Sequence, residues 1–345
     1  MSDLKNGNNI TINRSFLLIL ILAVFSLGIF IGTGTRMFGV MQPDKNEGPS
    51  EEREGEFKFI RISLPSKRAE GLRSNKELKP FRYKVSALVE STLKQGEASA
   101  ISVYFRDLDN GSWFGISEHD KFSPENELKL PLMIAYFKRA ESNPLVLRKT
   151  IRYDGNSDQG KQHEGKPSKV LEPGKSYAVN DLIFRMIAYD DNMAYTLLFA
   201  NLPKGHLDKI FKDLNVEYDP AKKGGFLSLS SYASFYRVLF NASYLTEEMS
   251  EKALRYLSRS IFREGMVAGI PPNIDMVSKL GERSIQGAAD HDREIYQLRE
   301  SGIIYHPNRP FLLGIVVRGK NYKQLTNSIR DITGLVYNEV DQQLM

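Results

Sequence analysis

One short stretch of the chain places a carboxamide and an amine one helical turn apart. Residues 123–141 read "SPENELKLPLMIAYFKRAE", and the run after Glu127 is apolar nearly all round, which predicts a helix buried inside a domain. Lys129 lies at the start of this helix, where an ammonium group is costly unless it has a charged partner or a chemical task. Asn126 precedes it by three residues. Its delocalised amide nitrogen is no nucleophile, but asparagine is among the preferred helix N-caps.

A second polar group stands in "MIAYDDNMAYTLLF", at the predicted start of another helix. Asp190 or Asp191 could cap that helix through its carboxylate. Asp190 could equally be the charged partner that a buried Lys129 needs. Asn192 follows at the first helical turn, and its carboxamide could donate a hydrogen bond to a bound carbonyl.

A third group lies in a predicted strand, "VSKLGE", whose last four residues are Lys279, Leu280, Gly281 and Glu282. Lys279 is either an ordinary strand lysine or a cation that meets a ligand carboxylate. The five histidines show no spacing typical of zinc ligands. The sequence therefore predicts no metal site, and nothing in it calls for a cofactor.

These groups need a scaffold, and the hydrophobic pattern predicts an α+β domain. A helix runs from Pro80 to about Gly96, and Asp109-Asn110-Gly111 is typical of a β-hairpin turn. Further strands are expected in "IDMVSKLGE", around "GIIYH" and in "PFLLGIVVR", before a last helix from Tyr322 to about Gln342. The pattern indicates a sheet assembled from distant segments and flanked by the N- and C-terminal helices, with an all-helical insertion. The helices of the insertion are expected over residues 127–142, 179–189, 192–201, 205–213, 228–241 and 246–258.

The first part of the chain has a different character. Residues 15–35 contain no charged side chain and have the length of a transmembrane helix, without a good cleavage site. We expect an uncleaved signal anchor here, after a short tail over residues 1–14. Basic residues are balanced on its two sides, so charge alone leaves the topology open. Residues 36–80 are expected to form a polar linker, with a short strand at "FKFIRISL", and residues 81–345 to form the folded domain.

Composition excludes several classes of function. The chain has no cysteine, which excludes disulfides, thiolate metal sites and a cysteine nucleophile. The net charge is only +5 and no basic stripe with interleaved aromatic residues is present, so nucleic acid is not an expected partner.

Three segments in order resemble the penicillin-recognising family, which comprises class A β-lactamases and D-alanyl-D-alanine peptidases. "FSPENELKLPLMIAYFKRAE" is similar to the family's Ser-x-x-Lys helix, and "LEPGKSYAVNDLIFRMIAYDDNMAYTLL" to the stretch around Ser-Asp-Asn. "GIPPNIDMVSKLGE" followed by "YHPNRPFLLGIVVRG" is similar to the Lys-Thr-Gly strand and its neighbour. The resemblance covers residues 81–345 and implies the serine β-lactamase/transpeptidase fold, with an antiparallel sheet, two terminal helices and an all-helical insertion.

Each motif departs from the family pattern at one residue. Asn126 stands at the position of the nucleophilic serine, Asp190 at that of the serine that shuttles protons, and Leu280 at that of the threonine that helps to hold the substrate carboxylate. The Glu-x-x-Leu-Asn of class A β-lactamases is not found after the second motif. A literal Ser-x-x-Lys at Ser91 and Lys94 lies late in a predicted surface helix and is expected by chance.

The resemblance and its departures together predict an inactive member of the family. On this hypothesis Lys129, Asp190 and Asn192 remain as degenerate catalytic positions, while residues 279–282 are a binding strand. The domain would lie outside the cytoplasmic membrane, anchored by a single span, and would bind a peptidoglycan stem peptide or an envelope protein. One alternative is an active β-lactamase or D-Ala-D-Ala carboxypeptidase with an unrecognised nucleophile. Another is a structural or regulatory protein whose cleft is filled by Leu280 and an Asp190–Lys129 pair.

Overall fold

The computed structural model describes residues 57–61, 78–122, 128–155, 171–218, 227–286 and 294–343. The predicted anchor at residues 15–35 and the serine position, Asn126, lie outside these ranges. Within them, no helix combines the length and the apolar character that a bilayer crossing requires.

A five-stranded antiparallel sheet forms the centre of the domain, as the family resemblance implies. Its strands are β1 (Ala100–Asp107), β2 (Trp113–Ile116), β7 (Met276–Gln286), β8 (Glu294–Ile304) and β9 (Phe311–Gly319). Their spatial order is β2–β1–β9–β8–β7, so strands from both ends of the domain meet through the β1–β9 pair. Strand β7 forms one edge of this sheet and pairs along its whole length with β8.

Two terminal helices cover one face of the sheet. Helix α1 (Lys79–Lys94) and helix α9 (Tyr322–Gln342) bury apolar faces with residues at helical spacing, such as Val85 and Val89 in α1. Together with sheet residues such as Val103 and Leu313 they form one continuous apolar core. This packing confirms the predicted contact between the two ends of the domain.

Helices α2 to α8 form the second, larger part, and their apolar core joins the opposite face of the sheet. They span Lys129–Ser142, Leu145–Arg148, Val179–Ala188, Asn192–Asn201, His206–Asp213, Leu229–Phe240 and Glu247–Ser258. The bounds agree with the helices expected from periodicity to within two residues. The short α3 was not expected, and the predicted first residue of α2, residue 127, lies outside the described ranges. A 3₁₀ turn follows at Met266–Gly269. Two short strand pairs lie outside the main sheet: β3 (Lys121–Phe122) with β6 (Leu227–Ser228), and β4 (Thr150–Arg152) with β5 (Ser176–Ala178).

Residues 57–61, which we call the strap, lie within the region that composition assigns to the linker. The strap is not the short strand that its sequence predicts. Its Phe59 and Ile60 side chains are buried in the core of the helical part. The backbone amides of these two residues donate to the Glu251 carboxylate at 2.8 and 3.1 Å instead of pairing with a strand. A carboxylate on α8 thus replaces the ladder that a strand would need.

The close approach of β7 and β8 generates a stability prediction at Gly302. A Cβ atom there would lie 2.3 Å from the Val277 carbonyl oxygen and 2.9 Å from the Ser278 Cα. Because both are backbone atoms of the paired strand, the clash can be relieved only by moving β7. We expect Gly302→Ala to lower the free energy of unfolding by about 2–3 kcal/mol, measured by thermal or urea unfolding.

Gly334, in the interior of α9, is the matched control. The nearest atom to a methyl group at this position would be the Gly269 carbonyl oxygen at 3.4 Å. Gly334→Ala should leave stability unchanged or raise it by up to about 1 kcal/mol, because alanine favours helix. Equal destabilisation by the two substitutions would contradict this account of the β7–β8 approach.

Candidate functional site

Lys129 is the first residue of α2, and its side chain is completely buried. The residues that follow it, from Leu130 to Phe137, are buried on all sides, so the helix passes through the interior and carries its first residue inside with it. An ammonium group has three N–H donors. The Lys129 Nζ has three acceptors: the Asp190 carbonyl oxygen at 3.0 Å, Asp190 Oδ1 at 2.6 Å and Asn192 Oδ1 at 2.6 Å.

Asp190 lies in the short connection between α4 and α5. Its backbone has a φ of 58°, in the left-handed region that aspartate tolerates better than most non-glycine residues. This conformation presents both the carbonyl and the carboxylate of one residue to the same ammonium group. The Asp190 side chain remains 35% exposed, so one side of the carboxylate meets solvent.

The neighbouring aspartate has the capping role. Asp191 Oδ1 accepts hydrogen bonds from the backbone amides of Met193 and Ala194 at 2.9 and 3.0 Å, so it is the N-cap of α5. The sequence leaves open which aspartate caps this helix, and the structure separates their roles: Asp191 caps, and Asp190 pairs with lysine. Burial raises the pKa of the Asp191 carboxyl.

Lys279 reaches the same carboxylate from the sheet. It lies in the edge strand β7, is only 5% exposed, and donates to Asp190 Oδ1 through a short contact and to the Leu280 carbonyl oxygen at 3.2 Å. A single carboxylate oxygen therefore bridges two lysines that are 150 residues apart in the chain. The interpretation of Lys279 as an ordinary strand lysine does not fit this buried contact.

Leu280 is not part of the same cluster. Successive strand residues point to opposite faces of a sheet, and the Leu280 side chain belongs to the core between the sheet and the terminal helices. The expectation that Leu280 would line or fill a cleft beside Lys279 is therefore corrected by strand alternation. Gly281 continues β7 opposite Arg299, and Glu282 is buried opposite Leu298.

Electrostatics favours the fully charged cluster at neutral pH. Burial lowers the pKa of Lys129 to about 8, with Lys279 contributing in the same direction and Asp190 opposing both. Burial alone would raise the pKa of Asp190, but the two ammonium groups lower it to about 2. Two cations thus share one carboxylate, and the cluster carries an excess of positive charge.

Two further buried charged residues lie in β8, and of the two only Arg299 faces the same side of the sheet as Lys279. Glu300 accepts hydrogen bonds from the Ser278 hydroxyl at 2.9 Å and the Met266 amide at 2.8 Å, and burial raises its pKa to about 7. Arg299 lies 3.5 Å from the centroid of the Tyr232 ring and is 2% exposed. The signal that could have found them is a pair of adjacent charges, "RE", inside an otherwise strand-like segment.

The acceptors around Lys129 determine which form of its amine the site favours. A lysine that acts as a base needs a neutral amine with its lone pair directed at a donor. The acceptors around Lys129 instead engage its three N–H bonds and favour the ammonium form. The described acidic and histidine side chains form no group that could hold a metal ion.

Asp190→Asn tests whether this carboxylate offsets the free-energy cost of burying the two lysines. The substitution leaves Lys129 and Lys279 without their shared negative charge, so we expect a loss of about 2 kcal/mol in the free energy of unfolding at pH 7. That figure is below the range for fully buried pairs because Asp190 is 35% exposed. The matched control is Asp154→Asn, which disrupts an ion pair with Arg152 whose two side chains are 69% exposed. The control should cost less than about 1 kcal/mol in the same unfolding experiment.

The same variant should also change the acid dependence of stability. The pKa of Asp190 is lowered from 3.8 to about 2, so its contribution is complete above pH 3.8 and is lost as the pH falls toward 2. Asp190→Asn should therefore lose less stability than the unsubstituted protein across this window, measured by denaturant unfolding at each pH. Parallel acid curves for the two proteins would show that Asp190 has no lowered pKa.

Comparisons with known proteins agree with this architecture. Solved structures with similar folds include a variant of PBP-A in an acyl-enzyme complex with penicillin G, at 19% identity and a TM-score of 0.63, covering 77% of this chain and 97% of that one. They also include a class A β-lactamase from Mycobacterium abscessus, at 17% identity and a TM-score of 0.63, covering 75% of this chain and 98% of that one. A β-lactamase from Xanthomonas campestris matches at 17% identity and a TM-score of 0.63, covering 74% of this chain and 97% of that one.

At these identities the structural likeness establishes the fold alone, and a search of curated proteins finds no match. Family membership rests on the sequence profile of the Beta-lactamase enzyme family, which matches residues 81–340. That range contains the α2, α4–α5 and β7 segments that carry Lys129, Asp190 and Lys279. The chain belongs to the β-lactamase enzyme family.

Proposed function

We propose that this chain is a non-hydrolytic, membrane-anchored member of the β-lactamase family that binds a peptidoglycan-type peptide or a partner protein in the cell envelope. The observation that carries the proposal is the hydrogen bonding of Lys129, whose three donors meet Asp190 and Asn192. A lysine held in this way is a structural cation. It is not poised to activate a hydroxyl group.

The sequence at the position of the nucleophile supports the same conclusion. Where the family motif has its nucleophilic serine, three residues before Lys129, this chain has Asn126. A carboxamide cannot form the acyl-enzyme by the serine route, because its nitrogen lone pair is delocalised into the carbonyl. Loss of the nucleophile removes the need for a neutral lysine, and Asp190 stabilises the charged form instead.

The proposed location follows from the N-terminal sequence and the family. Residues 15–35 are free of charge over a length that suits a bilayer-spanning helix. The substrates of the family, β-lactams and peptidoglycan stems, are encountered outside the cytoplasmic membrane. A single-pass anchor with the domain on the outer side is the arrangement that fits both.

The proposed ligand is an anionic peptide, because the cluster has two cations and one carboxylate. Asp190 is partly exposed, whereas Lys129 and Lys279 are buried behind it. A ligand carboxylate that approaches Lys279 must therefore share it with Asp190 or displace Asp190. The binding of a short peptide at this site is consequently expected to be weaker than it would be without the aspartate.

One observation favours the alternative of an active serine hydrolase with another nucleophile. The pKa of Lys129 is lowered to about 8, which is closer to neutrality than that of an ordinary lysine. Incubation with a fluorescent penicillin separates the two functions. A hydroxylamine-sensitive covalent adduct on the unsubstituted chain would establish the hydrolase and overturn the binding role.

Restoring the nucleophile alone should not restore acylation. In Asn126→Ser, Lys129 would still be held by the Asp190 carboxylate, so we expect no fluorescent labelling above that of the unsubstituted protein. In the double variant Asn126→Ser/Asp190→Ser, the amine loses its anionic partner and slow labelling should appear. The control is Asn126→Ala/Asp190→Ser, which keeps the second change and lacks the hydroxyl nucleophile.

Rapid β-lactam hydrolysis by Asn126→Ser alone would contradict the proposed role of Asp190. Labelling of the alanine control would show that another residue is acylated. A melting curve of each variant verifies that the compared proteins are folded at the assay temperature.

Ligand binding has its own prediction. A muropeptide stem that ends in D-Ala-D-Ala should raise the melting temperature of the domain, and the same stem with an amidated C-terminus should raise it less, because the lysines attract the carboxylate. Lys279→Met should abolish the difference between the two stems while retaining most of the side-chain volume. No shift with either stem would favour a protein partner over a peptide ligand.

A further inference from the structure

The strap is bound to the helical part by a site built around one buried carboxylate. Glu251, on α8, is 4% exposed. Its Oε1 accepts a hydrogen bond from the Lys58 amide at 3.1 Å, and its Oε2 accepts from the Phe59 and Ile60 amides at 2.8 and 3.1 Å. Three successive amides on one carboxylate are charge-assisted hydrogen bonds, which are stronger than neutral ones.

Side chains and further backbone contacts complete this site. The Tyr305 hydroxyl donates to the Phe59 carbonyl oxygen at 2.9 Å, and the two rings pack edge to face with centroids 5.3 Å apart. The Arg61 amide donates to the Phe240 carbonyl oxygen at 2.8 Å. Lys58 forms an exposed ion pair with Asp275 at 2.9 Å. The strap is therefore held through its backbone, its buried Phe59 ring and its Lys58 charge together.

Because the strap lies inside the predicted linker, its docking affects the length of that linker. Sequence composition assigns residues 36–80 to one continuous linker. If the linker were free, residues 36–77 could extend over about 140 Å at about 3.4 Å per residue, whereas residues 36–56 alone reach about 70 Å. If residues 36–80 are the linker that composition predicts, docking of residues 57–61 would halve its available contour length.

We propose that the Glu251 site is an intramolecular binding site for residues 57–61, which shortens the tether and shields the chain from proteolysis next to the domain. Its occupant is defined by chemistry as well as by position. It must offer three consecutive backbone N–H groups, a buried aromatic residue and a buried aliphatic residue, in that register. The effect on tether length rests on the proposed membrane anchor, whereas the protection of the strap does not.

Trypsin provides a direct test, because the Lys58–Phe59 bond lies inside the strap. A protease must bind its substrate through free backbone groups, and the amides of the docked strap are engaged by Glu251 and by the Phe240 carbonyl. In the full-length chain reconstituted in vesicles, we expect cleavage after Lys58 to be slower than cleavage after Arg53, followed by mass spectrometry. Glu251→Gln exchanges one carboxylate oxygen for an amide group, and it should accelerate cleavage after Lys58 by about tenfold relative to cleavage after Arg53.

Two further variants make the test decisive. Tyr305→Phe removes the hydrogen bond to the strap but retains the ring, and it should give a smaller acceleration at the same bond. Glu248→Gln alters an exposed residue of the same helix and should leave the ratio of the two cleavage rates unchanged. If Glu251→Gln unfolds the domain, cleavage will appear throughout residues 81–345, and Tyr305→Phe then decides the result.

The outcomes distinguish this inference from the proposed function. Equal cleavage rates after Lys58 and Arg53 in the unsubstituted chain, or no change in Glu251→Gln, would overturn the strap site. Recovery of the full-length chain in the soluble fraction would overturn the membrane anchor and the effect on tether length, while protection of the Lys58–Phe59 bond would still be measurable. Labelling by penicillin has no bearing on either result.

Discussion

The burial of one ammonium group governs the arrangement of the site. Lys129 lies inside the domain because the helix it begins is apolar on all sides. A buried cation without a partner would shift its pKa far down or open the structure to water. Asp190 prevents this by supplying both a carboxylate and a carbonyl, and its left-handed backbone is what directs both groups to the same nitrogen.

The same carboxylate joins the two parts of the domain. Lys129 belongs to the helical part, Lys279 belongs to the edge strand of the sheet, and Asp190 contacts both. The three side chains form an ion triad between the two parts, and Asp190 is its most exposed member at 35%. One shared carboxylate therefore links the helical part to the sheet.

Much of the scaffold could be predicted from the sequence, because the relevant signals are local. Helical periodicity locates the long helices, and the hairpin turn at residues 109–111 separates β1 from β2 as expected. The pairing of Lys129 with Asp190 could also be predicted, since a buried lysine requires an anion and the family resemblance places the two motifs together. The short ladders β3–β6 and β4–β5 could not be predicted, because two or three residues are too few to show an alternating pattern.

Features that depend on distant contacts could not be predicted. Nothing in the local sequence indicates that Lys279 shares Asp190, that Leu280 turns toward the terminal helices, or that Glu251 binds the strap. The segment "FKFI" resembles a strand by composition, yet the amides of its last three residues are bound by a carboxylate almost 200 residues later in the chain. In each case the deciding partner is brought near by the fold, and single-sequence patterns carry no information about it.

The backbone conformation at residue 190 also restricts the routes by which this chain can diverge. Among the coded amino acids, glycine, asparagine and aspartate occupy the left-handed region at the lowest steric cost. Of these three, aspartate alone brings a negative charge to the two lysines. Few substitutions at position 190 are therefore expected to be neutral. An asparagine or glycine at this position should require compensating changes at positions 129 or 279.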